Sequence, residues 1–276
     1  LRDRYARRVP VRGDGRGRSA APDAIRTAAA GVGSATYATR FAGVARAYTS
    51  TTPRGAERRL ARFLPPGREH GGMRAALVLA GGRSTRFGDR DKAVADLAGT
   101  PMIRRVVDRI AGVVSEVVIN CRADQVDAIA GAFADSEFSP EFAVDREPDE
   151  GPMAGIARGL ETVAAAYTLV VACDMPFVDP EFATYLFEGA EGHDAVVPRP
   201  DEWYQTTQAV YRTEPMAAAC RRALDRGDHR IVVPLDDLDT VVLGADEIEA
   251  VTTPETFENV NTREEFAAAV ERFRAE

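Results

Sequence analysis

The stretch Leu79-Ala-Gly-Gly-Arg-Ser-Thr-Arg-Phe-Gly-Asp-Arg-Asp-Lys92 decides how this chain is read. The apolar run at 75–80 that leads into it predicts a buried strand. Gly81-Gly82 then lets the backbone turn sharply and approach a ligand with no Cβ in the way. Arg83, Arg86 and Lys92 bring positive charge around that turn, and successive backbone N–H groups with nearby cations form an anion cradle. The spacing matches neither GxxxxGK[ST] nor GxGxxG. Lys92 is the one lysine among 35 lysine and arginine residues, kept where a phosphate-binding loop needs a compact ammonium.

From Met73 onward, short apolar runs alternate with helical patterns. Strands are expected at 116–120, 142–144, 167–173, 195–197 and 240–243, with 207–211 pairing antiparallel. Helices are expected at 124–133, 153–165, 180–188 and 215–226. Thr100-Pro101 reads as a helix start, with threonine as N-cap and proline at the first helical position. Thr262-Arg-Glu-Glu265 is a capping box opening a last helix. This alternation predicts an α/β fold: a Rossmann-like three-layer sandwich, its sheet mainly parallel and covered by helices on both faces. Ligands of such sheets bind outside the carboxyl ends of the strands, so the loops following strands carry the chemistry.

Charge divides the chain. Residues 1–72 hold 15 arginines and five acids, leaving the other 204 residues 20 basic and 38 acidic side chains within a net charge of −8. An organelle-targeting peptide, a nucleic-acid-binding tail and an upstream extension outside the working protein all fit the arginine-rich segment. The extension is the preferred reading, because Met73 stands directly before the first strand and Pro65-Pro66-Gly67 breaks any helix running into it. Residues 1–72 are expected to be mostly disordered, a short amphipathic helix at 55–64 being marginal alone. The acidic remainder, 73–276, has the composition of a protein adapted to high salt. Cys121, Cys173 and Cys220 form no disulfide framework or CxxC knuckle, the three histidines are scattered, and no apolar run nears the ~18 residues that cross a membrane. A reducing cytoplasm fits.

Three further loops follow predicted strands. In Val170-Val171-Ala172-Cys173-Asp174-Met175-Pro176, a carboxylate stands at the exit of a buried strand. Such an oxygen ligand suits Mg²⁺, although capping the next turn is the commoner use of an isolated aspartate. In Asp145-Arg-Glu-Pro-Asp-Glu-Gly-Pro-Met-Ala-Gly155, small residues open a helix whose positive end favours anions. Asn259-Val-Asn-Thr262 places two amides before the last helix, where asparagine also suits a turn.

Taken together, LAGG…R…DK, GPMAGI, CDMP and NVNT closely resemble the molybdenum cofactor guanylyltransferase (MobA-type) family, from Met73 to about Phe273. The resemblance implies the nucleotide-diphospho-sugar transferase type of fold. It also implies transfer of GMP from GTP to molybdopterin carrying molybdenum, with pyrophosphate released and Mg²⁺ as cofactor. Carried over by position, Leu79, Ala80, Gly81, Asn120 and Asp145 contact the nucleotide and Lys92 its phosphates. Arg86 positions phosphate, Asp174 is the metal ligand, and Asn259 and Asn261 lie toward the pterin. GTP and molybdopterin are the implied partners, with transient contacts to molybdoenzymes or their chaperones, and neither nucleic acid nor membrane. The chain departs from the pattern at Asp89, where a second glycine is usual after Gly88, and in the polar run Tyr204–Ala209. The residues leave three rivals open. One is a sister enzyme using CTP or another phosphorylated acceptor; the second is a nucleotide-binding regulatory domain without turnover; the third is a nucleic-acid-associated protein, by virtue of residues 1–72.

Overall fold

The computed structural model describes residues 73–82, 91–136, 138–147 and 150–275. The readings placed on residues 1–72, and on Arg83, Arg86 and Asp89, lie outside them. The main strands are β1 (Arg74–Leu79), β4 (Glu116–Cys121), β5 (Glu141–Val144), β6 (Tyr167–Ala172), β7 (Ala195–Arg199), β8 (Gln208–Arg212) and β9 (Thr240–Gly244). They form one sheet in the order β5-β4-β1-β6-β8-β7-β9. β5, β4, β1 and β6 run parallel, and β7 pairs parallel with β9. Only β8 is antiparallel to both its neighbours, as the sequence predicts for 207–211. The carboxyl ends of β1, β4, β6 and β7 therefore share one edge.

Helices cover both faces. On one side lie α1 (Met102–Ile110), α2 (Val126–Ala132) and α4 (Pro180–Gly189). α1 buries Met102, Ile103, Val106, Val107 and Ile110, a spacing that makes one apolar stripe. On the other side, α3 (Pro152–Leu160) and α5 (Thr213–Asp225) pack over Leu77, Val118 and Val170. α3 lies close against β1 because Gly159 has no Cβ; one there would overlap the side chain of Leu77. A short α6 (Ala245–Glu249) follows β9, and α7 (Arg263–Ala275) closes over a third cluster of Leu97, Met102, Phe177 and Val260. The capping box at its start is present: Thr262 N donates to Glu265 Oε2 at 2.9 Å and Glu265 N to Thr262 Oγ1 at 3.1 Å.

One expectation is corrected. Thr100–Pro101 is a strand, β3, paired antiparallel with β2 (Asp96–Leu97), and the helix begins at Met102 with no side-chain cap. Between the strands, Ala98 (φ 54°) and Gly99 (φ 85°) both take left-handed backbone, as a tight two-residue hairpin demands. Asp96 Oδ1 holds the turn by accepting from Gly99 N at 2.6 Å. The cross-strand pairing of Thr100 with Leu97 fixes an extended backbone that a local reading of Thr-Pro misses. The helix expected at 153–165 also ends early, at Leu160.

Candidate functional site

β6 ends at Ala172, and Met175 N closes a tight turn onto the Ala172 carbonyl at 3.2 Å. That turn presents Asp174 at the carboxyl edge. Lys92 opens a short 3₁₀ turn (Lys92–Val94) capped by Asp91, whose Oδ1 accepts from Ala93 N at 3.0 Å. From there Lys92 Nζ donates to Asp174 Oδ2 at 2.8 Å and to Asn261 Oδ1 at 2.9 Å. Both charged side chains are buried, 9% and 6% exposed. Asn261 is delivered by a backbone bond from Val260 N to Asp174 O at 2.8 Å, which fastens the segment before α7 to the loop after β6. Glu265 works behind it. Its desolvation is outweighed by backbone N–H bonds from Asn261 (2.6 Å) and Thr262 (2.9 Å), which hold its carboxyl below the ordinary range.

A second cluster lies beside the first, where β1 and β4 end. Asn120 Nδ2 donates to Ala143 O at 2.9 Å and to Asp145 Oδ1 at 2.7 Å. Burial pushes the Asp145 carboxyl up, against the pull of the Asn120 amide and the Arg122 charge. Two glycines make room for this pair. A Cβ on Gly81 would lie 2.8 Å from Asp145 Oδ2, and one on Gly155 would overlap Asn120 Oδ1. Gly155 belongs to α3, whose N-cap residue Gly151 sits at φ 90°, a conformation glycine takes without strain. The positive end of α3 thus opens toward the same edge.

Arg122 and Gln125 join the clusters, and sequence reasoning assigned neither a role. Arg122 Nη1 donates to the carbonyls of Gly81 and Gly82, both at 3.1 Å, and holds the glycine turn. Gln125, buried, donates to Ala80 O at 3.0 Å and to Asp91 Oδ2 at 2.5 Å. It therefore links the end of β1 to the turn that carries Lys92. The one local signal is that its side chain accepts from Arg122 N, a reciprocal bond at the start of the turn before α2. Asn259 does not join Lys92; its Nδ2 donates to Phe257 O at 3.1 Å.

Asp174 Oδ1 is buried without a hydrogen-bond partner. Among the described residues no group of three or more His, Cys, Asp or Glu side chains could hold a metal ion. A lone buried carboxylate oxygen fits a hard cation that takes its other ligands from phosphates and water, as Mg²⁺ does. The thiols are unsuited to nucleophilic work. Burial, then the charge of Asp145, pushes Cys121 up to about 12; burial pushes Cys220 up to about 12 and raises Cys173 as well. Among the described residues no helix is long and apolar enough to cross a membrane.

Comparison with known proteins places this edge in a family. The family model of the MobA-like NTP transferase domain matches residues 76–239. A Natronomonas pharaonis protein named probable molybdenum cofactor guanylyltransferase is 51% identical over 201 residues, 73% of this chain and 98% of its own. A Methanosarcina mazei protein of the same name is 36% identical over 201 residues, 70% of this chain and 88% of its own. The crystal structure of molybdopterin-guanine dinucleotide biosynthesis protein A from Archaeoglobus fulgidus matches with a TM-score of 0.60 at 29% identity, over 73% of this chain and all of that one. At 16% identity, 2-C-methyl-D-erythritol 4-phosphate cytidylyltransferase from Thermus thermophilus shares the fold, with a TM-score of 0.53 over 73% of this chain and all of its own. A glycine turn, a buried lysine–aspartate pair and an amide at one sheet edge, in a chain matched along most of its described length, mean that this protein belongs to the MobA-like NTP transferase family.

Proposed function

We propose that the chain transfers GMP from GTP to molybdopterin carrying molybdenum, forming the guanine dinucleotide cofactor and pyrophosphate. The observation that carries this reading is the buried Lys92–Asp174–Asn261 cluster at the carboxyl edge, within a chain of this family. The acceptor's terminal phosphate attacks the α-phosphate of GTP in line, so no protein nucleophile is needed and catalysis is positioning and charge neutralisation. Leu79, Ala80 and Gly81 let the nucleotide approach the backbone, with Asn120 and Asp145 on its nucleoside side. Lys92 neutralises the departing pyrophosphate, and Arg86 positions phosphate from the loop ahead of it. Asp174, whose Oδ1 has no protein partner, would hold Mg²⁺, and the ion would supply neutralisation of charge gathering on the phosphates. Asn261 and Asn259 border the acceptor's side of the cluster. The setting is cytoplasmic, with transient hand-over to molybdoenzymes or their chaperones.

The test is to incubate the protein with Mg²⁺, molybdopterin carrying molybdenum and each nucleoside triphosphate in turn. Pyrophosphate release with GTP alone is the expected result. A preference for CTP, or release independent of divalent metal, overturns the corresponding part of the assignment.

A further inference from the structure

The polar groups expected at the acceptor are already occupied: Asn261 receives Lys92, and Asn259 turns to the Phe257 carbonyl. A different cation waits farther along the same edge. Arg199 is the last residue of β7, paired in register with Gly244 of β9. Its Nε is buried with no hydrogen-bond partner, and among the described residues no carboxylate pairs with its guanidinium. The ring of Tyr204 lies against it, 5.3 Å from ring centroid to Cζ. A buried donor lacking an acceptor calls for an explanation, and a ligand that supplies the acceptor is one.

Position gives that ligand its identity. β8 alone separates β7 from β6, so Arg199 stands two strand spacings, ~10 Å, from the strand that ends at Asp174. The glycine turn, Asn120 and Asp145 lie on the opposite side of Asp174, where β1 and β4 end. A nucleotide on that side leaves the β8–β7 side for the acceptor. The loop between β7 and β8 is firmly held: Gln205 N donates to Pro198 O at 2.8 Å, and Tyr211 Oη to Thr206 O at 2.9 Å. It presents a fixed platform. Arginine's planar fork, backed by an aromatic ring, suits a flat heterocycle whose edge carries hydrogen-bond acceptors.

We propose that Arg199, supported by Tyr204, is the recognition group for the heterocyclic end of the acceptor, the end remote from the reacting phosphate. This rests on the transferase reading above, with a pterin as that heterocycle. Trp203, the one tryptophan of the chain, lies in the same loop and reports occupancy by fluorescence without turnover.

The experiment compares wild type, Arg199→Ala and Arg199→Lys in two measurements. Steady-state GMP transfer to molybdopterin is expected to show KM for the acceptor raised ~10- to 100-fold in both variants, with KM for GTP within ~2-fold of wild type, the scale of losing one forked charge-assisted contact. Titration with 6-hydroxymethylpterin, which lacks the phosphate, is expected to change Trp203 fluorescence in wild type and not in Arg199→Ala. An active wild type with unchanged acceptor KM in Arg199→Ala overturns the assignment of Arg199 and leaves the transferase reading standing. Equal loss of both KM values, or a wild-type fluorescence response to inorganic phosphate and none to the pterin, also overturns it. A wild type that neither binds nor uses molybdopterin overturns both.

Discussion

Lys92 Nζ bridges Asp174 Oδ2 and Asn261 Oδ1, so its ammonium has a defined seat with little space around it. A guanidinium there keeps the charge but is planar and wider, and Lys92→Arg is expected to impair turnover in a steady-state assay. Lys92→Ala and Asp174→Ala are each expected to lower turnover ~100-fold or more, the scale of one preorganised electrostatic contact. Near-normal rates in either variant would remove the assigned roles. The alanine variants also orphan the remaining buried charge, at a cost of ~3–5 kcal/mol, which a melting curve detects. Lys92→Arg avoids that confusion and is the sharper test. Gly155→Ala forces a methyl against Asn120 Oδ1. Overpacking of this kind costs ~1–3 kcal/mol, and displacing Asn120 is expected to raise KM for GTP in the same protein. An unchanged GTP affinity would exclude Asn120 from the nucleotide's surroundings.

At this scale the site was legible one residue at a time. Gly81, Lys92, Asp174 and Asn261 each stand in a loop with its own local signal. Their meeting was not legible, because 82 residues separate Lys92 from Asp174 and 169 separate it from Asn261. Arg122 and Gln125 left less trace, since they act on backbone carbonyls 40 to 45 residues earlier.

Among the elements, α7 carries more than its sequence advertises. Arg272 lies over the Phe177 ring at 3.7 Å, Phe177 stacks on Phe273 at 5.0 Å, and Arg105 covers Phe273 at 4.1 Å. Arg105 is itself held by the carbonyls of Leu97 and Ala98, at 2.6 and 2.8 Å. This four-layer stack binds the last helix to α1, to the β2–β3 hairpin and to the loop three residues beyond Asp174. Arg272→Ala is expected to cost ~1–2 kcal/mol and to speed amide hydrogen exchange in 263–275. Unchanged exchange there would mean the stack does not hold the helix. The capping box of α7 was readable because it is local. The Thr100-Pro101 strand was not, because a two-residue hairpin rests on the left-handed backbone of Ala98 and Gly99, and alanine gives no warning of it.

For the whole molecule, the layer structure and the mainly parallel sheet followed from alternation, with an antiparallel strand expected at 207–211, whereas the strand order did not, because it rests on pairings between residues far apart in the chain. Residues 73–276 set 38 acidic against 20 basic side chains. Many of the ion pairs are exposed, among them Arg222–Asp237 and Arg274–Glu271, and such pairs contribute little once salt screens them. The excess of carboxylates repels itself at low ionic strength, so melting temperature and activity are both expected to rise with salt. Full stability and activity at low ionic strength would count against salt adaptation.

The seat of Lys92 has one more consequence. With an ammonium already on Asp174, the resting site is its own counter-ion, and filling it is an exchange. A divalent cation arriving alone, taken up through the free Asp174 Oδ1, would have to share that carboxylate with a tethered ammonium and bear its repulsion. A nucleotide arriving alone must draw the ammonium from its carboxylate and leave that carboxylate bare in a dry place. Metal and triphosphate arriving together would satisfy both members of the pair, the carboxylate with the cation and the ammonium with the phosphates. On the transferase reading, the built-in pair would therefore favour the complex of the two over either by itself.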